Sequence, residues 1–377
     1  MSAAPIREAI VFTDPRGGRA IAGVPLLVRT MLVLQRAGVE RCTLVGGAQP
    51  PGDGRIRLAV TAVASLVPPD DPALRLVIGP GAVIDETLVR DLQARARPGE
   101  VLAVEHEGAQ VAVAPGPRVL DTRDHRQTPC AGTLTSAAAP PMQVEHALLR
   151  ALENPRDGYL DRLVYRHFSR PVTCALARTR VSPNAVTLVG IGLGALGGLL
   201  FAVPGEVALL AAVLCLLASG VLDCSDGELA RLRFAESRLG HWLDVSGDTI
   251  VHVCLLGGIA TRITATAQRP DWWVLAALAA GVFGALAVMT WSEQREARRR
   301  RVRGWENGLL DNVLSPLSTR DWYVFVVAFT IAGRLEWLVP AAAVGAQVFW
   351  VVGLVALVRV LGRVPDLQAP HPGRRAI

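Results

Sequence analysis

The chain has 377 residues, of which 51% are hydrophobic and 19% are charged, with a formal net charge of +6. This length is enough for two domains. All 39 basic residues are arginines, which excludes lysine from any catalytic role. The six cysteines show no Cys-x-x-Cys spacing, and we expect them to be reduced and structural. The first five residues contain no apolar core, so no cleaved signal peptide is expected.

The first 138 residues alternate short apolar strand-like runs with helix-like stretches, and this pattern predicts an α/β domain. Strands are predicted at 10–12, 43–45 and 74–78, and an amphipathic helix at 25–37. A glycine-containing loop at 17–19 separates the first strand from this helix. A strand, a Gly-rich turn and a helix are typical of a phosphate cradle.

This half resembles the sugar-nucleotidyltransferase family. Arg19 lies in the Gly-rich loop and Pro25-Leu26-Leu27 opens the helix, as the family's signature requires. However, Val24 occupies the position of the family's lysine, and Pro80 follows the strand after which a metal-binding aspartate is expected. The resemblance with these departures implies a degenerate cytoplasmic domain of structural or regulatory role; residual nucleotide binding stays open.

Residues 139–156 are predicted to be a linker, because prolines lie among alanine, serine and threonine just before and within this segment. A membrane domain is expected over 157–377, beginning with an interfacial helix at about 157–180. Apolar and aromatic residues including Phe168 share one predicted face of that helix, and Arg162 and Arg166 occupy another. A packed helix between domains is the alternative interpretation.

From residue 184 onward the sequence carries apolar blocks of roughly 20 residues, the length that crosses a bilayer. We predict an all-α domain of six transmembrane helices, at 184–203, 206–223, 241–260, 272–291, 321–339 and 340–361. Arginines cluster between the second and third and between the fourth and fifth blocks, although Arg262 and Arg269 lie on the opposite side. By the positive-inside rule, both termini and the whole N-terminal domain are cytoplasmic. These arginines indicate topology and attraction to anionic lipid rather than nucleic-acid binding.

Four aspartates interrupt the second and third apolar blocks, and charged groups near lipid are costly unless they have a function. Asp223 and Asp226 are three residues apart, and Asp244 and Asp248 are four apart. In two neighbouring antiparallel helices these spacings bring the four carboxylates toward one point. Their repulsion is relieved most simply by one or two divalent cations with oxygen ligands, Mg²⁺ or Mn²⁺.

Three residues beside the aspartates suggest a phosphate-containing substrate. Gly227 and Ala230 leave room for a ligand or another helix, and Arg231 offers a guanidinium fork suited to phosphate. Cations and an arginine beside a space favour a diphosphate substrate, because phosphoryl transfer depends mostly on positioning and charge neutralisation. A remaining carboxylate has the chemistry of a general base for an attacking hydroxyl.

Together these residues resemble the signature of the CDP-alcohol phosphotransferase family over about 157–361. The matching positions are Asp223-x-x-Asp226-Gly227-x-x-Ala230-Arg231, eight residues, then Gly240-x-x-x-Asp244-x-x-x-Asp248. Members displace CMP from a CDP-linked donor, commonly CDP-diacylglycerol, with the hydroxyl of a second alcohol. The resemblance implies a phospholipid-synthesis enzyme in the cytoplasmic membrane, with a small alcohol or polyol phosphate as acceptor and a homodimer as assembly.

The resemblance also implies roles residue by residue. Asp223, Asp226, Asp244 and Asp248 would hold two metal ions in the family's manner, with Asp248 also the catalytic base. The CDP moiety would be contacted by Asn184, Asp223, Gly227, Ala230 and Arg231. Arg238 is a weaker candidate for the acceptor. Thr249 stands where many members with phosphorylated acceptors carry a basic residue, which weakens such an acceptor.

Two other functions remain open at this point. In one, both halves are active, so that the N-terminal domain makes a CDP-alcohol, in the manner of CDP-inositol enzymes, and the membrane domain consumes it. In the other, the chain is a non-catalytic membrane scaffold or a transporter that keeps the fold. The second alternative predicts that Asp248→Asn leaves function intact.

Overall fold

The computed structural model describes residues 6–13, 19–116, 126–127, 130–152, 165–266 and 323–361, with single positions between 273 and 284. The chain forms two compact units. The first comprises Met1–Glu153, Phe168–Val186 and Ser225–His241; the second comprises Asn154–His167, Thr187–Cys224 and Trp242–Ile377.

A seven-stranded sheet forms the centre of the first unit, with strand order β10-β8-β9-β6-β1-β4-β5. Strands β1, β4, β5 and β6 run parallel, and β9 pairs antiparallel with both β6 and β8. Two further antiparallel pairs form separate two-stranded sheets: β2 pairs with β3, and β7 pairs with β11. The strands are β1 Glu8–Phe12, β2 Ala20–Ile21, β3 Val24–Pro25, β4 Arg41–Val45, β5 Ala59–Val63, β6 Leu74–Ile78, β7 Ala82–Ile84, β8 Leu102–His106, β9 Ala109–Pro115, β10 Arg126–Gln127 and β11 Leu134–Ser136.

The central strands are apolar on both faces, as expected for a parallel sheet covered on both sides. Alternate residues of β1 enter different cores: Val11 packs in one hydrophobic cluster and Ile10 in another. The three predicted strands at 10–12, 43–45 and 74–78 therefore lie within β1, β4 and β6. The α/β class predicted for this half is confirmed.

Three helices accompany this sheet: α1 Leu26–Arg36, α2 Glu86–Arg95 and α3 Pro141–Ala151. Helix α1 matches the predicted amphipathic helix and is followed by Gly38, whose φ of +87° suits a helix end. Helix α3 occupies most of the segment predicted as a linker at 139–156. It forms because Val144, Leu148 and Leu149 share one helical face and are buried there.

Helix α4, Arg166–Ala177, is the described part of the predicted interfacial helix; residues 157–164 lie outside the described ranges. Arg166, expected on a polar outer face, is buried, whereas Phe168 is 57% exposed. The buried face instead carries Ser169, three residues after Arg166, and Thr173, four residues after Ser169. Phe168, which the sequence places on the apolar and aromatic face, is therefore exposed.

Five further helical segments follow. They are α5 Pro183–Leu200, α6 Glu206–Arg233, α7 Arg238–Thr266, α8 Tyr323–Ile331 and α9 Leu338–Leu361, with a 3-10 turn at Leu335–Trp337. Among the residues that the structure describes, four stretches are long and apolar enough to cross a bilayer: Pro183–Leu200, Glu206–Arg233, Arg238–Ala265 and Leu335–Val352. These correspond to the predicted spans one, two, three and six. The count of six is not confirmed, since the predicted fourth span and the arginine-rich 295–303 fall largely outside the described residues.

The predicted fifth span, 321–339, differs from the structure at its far end. Helix α8 stops at Ile331, and Gly333 with a φ of +65° reverses the chain. Arg334 and Glu336 then form an exposed ion pair at 3.6 Å. The charged pair marks the boundary between two helices because it would be costly inside one span.

Helices of the second unit approach closely at glycines. A Cβ added to Gly258 on α7 would lie 1.9 Å from the Gly198 carbonyl oxygen on α5. Ser219 on α6 donates a 2.8 Å hydrogen bond to the Gly190 carbonyl of α5. Small residues and interhelical hydrogen bonds are the usual packing devices of membrane helices. They hold α5, α6 and α7 at fixed separation.

Candidate metal and phosphate site

Three carboxylates of α6 and α7 converge in the second unit. One oxygen each from Asp223, Asp244 and Asp248 lies within 4.8 Å of the others. Asp223 and Asp248 are half-buried, and Asp244 is exposed. Since α6 supplies one ligand and α7 supplies two at positions one turn apart, the cluster follows from the antiparallel pairing of these two helices.

The fourth predicted ligand, Asp226, lies on α6 one turn beyond Asp223 and is 7% exposed. It is not part of the group of three that the described residues form. The structure therefore brings together three of the four expected carboxylates and buries the fourth on the same helix.

This donor set fits a hard divalent cation. Three carboxylates within 4.8 Å of one another concentrate negative charge that repels unless a cation lies among them. Carboxylate oxygens supplemented by substrate phosphate are the ligands that Mg²⁺ prefers, and Mn²⁺ accepts the same set. Residues Asp223, Asp244 and Asp248 could hold such an ion.

Arg231 and Gly227 are neighbours on one face of α6. A Cβ added to Gly227 would meet the Arg231 guanidinium at 3.5 Å and no closer described group. The space above Gly227 is thus bounded by the flexible end of one arginine. Ala230 beside it is half-buried. A small-residue surface with a guanidinium next to it can accept a phosphate closely against the helix.

Asn184 and Gly240 also lie together, although 55 positions separate them in the sequence. A Cβ added to Gly240 would lie 3.1 Å from Asn184 Oδ1, closer than most real contacts. A glycine at this position lets the amide side chain of α5 approach the first turn of α7. Arg238, the weak candidate for acceptor binding, is the exposed first residue of α7.

Sequence reasoning missed a buried polar network centred on Glu228, within the aspartate motif. Glu228 is 0% exposed, and its carboxylate accepts hydrogen bonds from Ser169 Oγ at 3.0 Å and Thr173 Oγ1 at 2.6 Å. These donors lie on α4, so the network joins α4 to α6. The available signal was the spacing of four between two hydroxyl residues of an amphipathic helix.

The nucleotidyltransferase-like features of the α/β sheet are arranged differently. The Arg19 guanidinium, expected at a phosphate loop, donates hydrogen bonds to the carbonyl oxygens of Ala137 and Ala139. At the carboxyl end of β6 come Gly79 and Pro80, neither of which has a side chain for metal binding. Residues 14–18 of the loop lie outside the described ranges.

One known protein family matches the helical part of the chain. Residues 180–361 match the family model described as CDP-alcohol phosphatidyltransferase. The matched segment includes every residue of the aspartate motif.

Several curated proteins are similar to the chain. It is 26% identical over 221 residues, 58% of its length, to the bifunctional IPC transferase and DIPP synthase of Archaeoglobus fulgidus, covering 40% of that protein. The Thermococcus kodakarensis protein of the same name is 35% identical over 131 residues, covering 34% of this chain and 28% of that protein. A CDP-diacylglycerol–serine O-phosphatidyltransferase of Mycobacterium leprae is 28% identical over 189 residues, 50% of this chain and 51% of that protein. The chain thus spans about half, or less, of these relatives.

Among solved structures, Mycobacterium tuberculosis phosphatidylinositol phosphate synthase with CDP-DAG bound aligns with 22% sequence identity. The alignment covers 56% of this chain and 100% of that one, with a TM-score of 0.38.

Proposed function

We propose that this chain is a membrane enzyme that transfers a substituted phosphate group from a CDP-alcohol to a second alcohol, because residues 180–361 match the CDP-alcohol phosphatidyltransferase family model. CMP is the other product, and phospholipid synthesis is the setting. The observation that carries this proposal is the convergence of Asp223, Asp244 and Asp248 inside the family-matched segment.

The proposed metal ligands are Asp223, Asp226, Asp244 and Asp248. Bound Mg²⁺ or Mn²⁺, two ions in the proposal, would neutralise charge on the diphosphate during transfer. The convergent oxygens of three of these aspartates support the assignment. Asp226 completes it by motif position, one turn along α6.

Asp248 is the proposed catalytic base. It takes the proton of the acceptor hydroxyl, whose oxygen forms a new bond to the phosphorus that bears the donor's alcohol. The bond from that phosphorus to the bridging oxygen breaks, and CMP leaves with the electron pair. No oxidation occurs, and one phosphate ester replaces one phosphoanhydride bond.

Residues on the first unit's part of α5, α6 and α7 are proposed to contact the CDP moiety. Gly227 and Ala230 let the diphosphate approach α6, and Arg231 donates to its oxygens. Asn184, held against Gly240, is the proposed contact from α5. Asp223 contributes from the metal side, and Arg238 remains the candidate for an anionic acceptor.

The proposed donor is CDP-diacylglycerol, and the proposed acceptor is a small alcohol or a polyol phosphate. The name of the Mycobacterium leprae relative supports this donor. Thr249 donates its hydroxyl to the Val245 carbonyl within α7, so it offers no positive charge to an acceptor phosphate. An uncharged or zwitterionic acceptor is therefore favoured over a phosphorylated one.

The proposed topology has six spans, with both termini and the α/β domain on the cytoplasmic side and a homodimer as the assembly. Four of the spans are supported by helices of sufficient length and apolarity. The exposed side chain of Phe168 on α4 supports an interfacial position for this helix. Its proposed surroundings are membrane lipids, with no nucleic-acid partner.

The test is CMP release by purified protein in detergent, with CDP-diacylglycerol, Mg²⁺ and inositol, inositol phosphate, glycerol phosphate or serine as acceptor. We expect release that depends on one acceptor, stops on metal chelation, and is lost in Asp248→Asn. Release that persists at the wild-type rate in that variant would refute the proposed base. Silence with every acceptor would reject a CDP-diacylglycerol donor.

A second candidate is a bifunctional protein whose α/β domain makes the CDP-alcohol. The names of the Archaeoglobus and Thermococcus relatives favour it, as does the mainly parallel sheet. Its test is pyrophosphate release from CTP and inositol phosphate by the full chain. The valine at position 24, the proline at position 80 and the backbone contacts of Arg19 predict that no pyrophosphate is released.

A further inference from the structure

The connection between α6 and α7, residues 234–237, contains an unusual turn. Phe234 has a φ of +54°, a left-handed conformation that favours glycine. It follows a Schellman-type helix end, in which the Ala235 N–H bonds the Ala230 carbonyl at 2.8 Å. Glycine would make this turn without steric cost. The presence of phenylalanine indicates that its side chain is used for something other than the turn.

That side chain packs against the α/β domain. The Phe234 ring is partly buried and, like Ile56, contacts a hydrophobic cluster of Val24, Val28 and Leu32. These residues belong to β3, α1 and the loop before β5. The connection between the two motif-bearing helices is thus seated in the apolar surface of α1.

Three arginines of the α/β domain, Arg29, Arg36 and Arg55, surround the same ring and its backbone; we call them the arginine clamp. The Arg29 and Arg36 guanidinium carbons lie 5.2 and 4.6 Å from the centre of the Phe234 ring. This is the range of cation–π attraction, which strengthens when the cation is desolvated. Arg29 is 3% exposed.

The arginine clamp also binds the backbone and side chains of the connection. Arg29 Nη2 donates to the Leu232 carbonyl, and Arg36 forms an ion pair with Glu236. Arg55 Nη1 donates to the carbonyl oxygens of Arg233 and Phe234 at 3.0 and 3.4 Å. The Leu232 and Arg233 carbonyls belong to the last turn of α6, where backbone acceptors have no partner inside the helix.

Arg233 strengthens the attachment from the opposite side. Its guanidinium donates to the Ala22 carbonyl at 3.3 Å and to the carbonyls of Leu176 and Thr179 at the end of α4, at 3.0 and 2.6 Å. A cation at these carbonyls satisfies the C-terminal end of α4 and complements its dipole. The end of α6 is therefore held by both α4 and the α/β domain.

The attached segment lies between two proposed donor-binding groups. Arg231 precedes Phe234 by three residues, and Gly240, in contact with Asn184, follows Ser237 by three. Ser237 Oγ accepts the Gly240 N–H at 3.0 Å and caps α7. Both groups are one helical turn or less from the residues that the arginine clamp holds, so their placement depends on it.

We propose that the arginine clamp makes the α/β domain a positioning element for the CDP-binding end of the site, with Phe234 as the positioning residue. This proposal rests on the proposed function. It assigns a role to a domain in which Val24 and Pro80 stand where the nucleotidyltransferase lysine and metal-binding aspartate are expected. Removing the Phe234 side chain should loosen Arg231 and Gly240 while leaving the aspartates in place.

The test is Phe234→Gly in the full-length protein. Glycine suits the left-handed turn, so local formation of the turn is preserved or improved, while the contacts of the ring with Arg29, Arg36 and the apolar cluster are lost. We expect the Kd for CDP, measured by calorimetry without an acceptor, to rise about tenfold, because small misplacements of binding groups are costly. The KM for the CDP donor should rise with it, kcat should change less than about threefold, and amide exchange over 229–241 should accelerate.

Two variants complete the experiment. Val77→Ala removes buried apolar atoms from the cluster on the sheet that does not contain Phe234, and it should leave the Kd for CDP unchanged. Arg36→Gln retains the fold because its side chain is partly exposed, and it should raise the Kd about two- to fivefold through the lost cation–π contact.

The outcomes separate this proposal from the proposed function. Wild-type Kd and KM in Phe234→Gly and Arg36→Gln would overturn the positioning role, even with normal CMP release by the wild-type protein. An equal rise in Val77→Ala would also overturn it, since the effect would then be general destabilisation. A wild-type protein that neither binds CDP nor releases CMP would overturn both proposals.

Discussion

A phosphate and metal site could have formed at two places in this chain: at the carboxyl ends of the α/β strands, or where α6 and α7 meet. The two places differ in the side chains that are available there. At the sheet, Arg19 is hydrogen-bonded to backbone carbonyls, and Pro80 follows β6. Between α6 and α7, oxygens of three aspartates lie within 4.8 Å of one another. The α/β sheet retains the fold alone, whereas α6 and α7 also carry the side chains proposed for metal binding and catalysis.

The function of a protein therefore depends on the residues of its site rather than on the architecture around it. A mainly parallel sheet is compatible with nucleotide transfer, but only charged groups at its strand ends would perform it. The apolar helices, in contrast, contain carboxylates whose placement near lipid is energetically unfavourable. Such carboxylates indicate a function.

The largest expected effect comes from removing a proposed metal ligand. Asp244→Asn should lower CMP release by about 10³-fold, because charge stabilisation by the metal amounts to several kcal/mol. Asp244 is exposed, so the fold should be retained. The checks are the rate of CMP release and Mn²⁺ binding by electron paramagnetic resonance. Normal Mn²⁺ affinity in the variant would move the metal site elsewhere.

Removing the guanidinium next to Gly227 is expected to have a smaller effect on activity. Arg231→Gln should raise the KM for the CDP donor about 10- to 100-fold, since hydrogen bonds to charged groups contribute about 1.5–3 kcal/mol. The matched control is Arg238→Gln, at the start of α7, which should leave this constant unchanged because Arg238 is not among the CDP contacts. Steady-state kinetics with varied donor measure both. An effect that is equal in the two variants would indicate surface charge rather than a specific contact.

Next in size is the network that joins α4 to α6. Thr173→Val leaves the buried carboxylate of Glu228 with one fewer hydroxyl donor, and should lower the free energy of unfolding by about 1–3 kcal/mol. Thermal unfolding in detergent measures the change. Thr179→Val, at the exposed end of α4, is the control and should have a smaller effect. Equal losses would mean that Glu228 obtains its stabilisation from other groups.

The smallest effect on catalysis is expected in the α/β domain. Arg19→Gln removes two hydrogen bonds to the carbonyls of Ala137 and Ala139, and should cost about 1–2 kcal/mol of stability. CMP release should stay within about twofold of wild type, because the guanidinium is engaged with backbone and not with substrate. A large loss of CMP release without a loss of stability would restore Arg19 as a phosphate ligand.

Much of the fold follows from local patterns in the sequence. The apolar runs at 10–12, 43–45 and 74–78 lie in β1, β4 and β6, and the spacing of four placed Asp244 and Asp248 on one face of α7. The spacing of four holds for Asp244 and Asp248, whereas the spacing of three between Asp223 and Asp226 does not bring Asp226 into the group of three. The regularities that hold need only helix and strand periodicity. The roles of the aspartates remain a prediction from the motif.

Other features depend on tertiary partners and had no local signal. The segment at 139–156 looked like a linker by composition, yet α3 forms there because its apolar face is buried. Arg166 was placed on a polar outer face and is buried instead. Phe234 reads in sequence as one aromatic residue in a polar turn. Its φ and its contacts with Arg29 and Arg36 become visible only when distant segments meet.

The most direct test of the central claim compares the two places in one preparation of full-length protein. CMP release from a CDP-alcohol and pyrophosphate release from CTP would be measured in wild type, Asp248→Asn and Arg19→Gln. We predict that Asp248→Asn lowers CMP release by about 10²- to 10⁴-fold, that Arg19→Gln retains it, and that none of the three proteins releases pyrophosphate. Wild-type CMP release by Asp248→Asn would contradict the proposed site between α6 and α7.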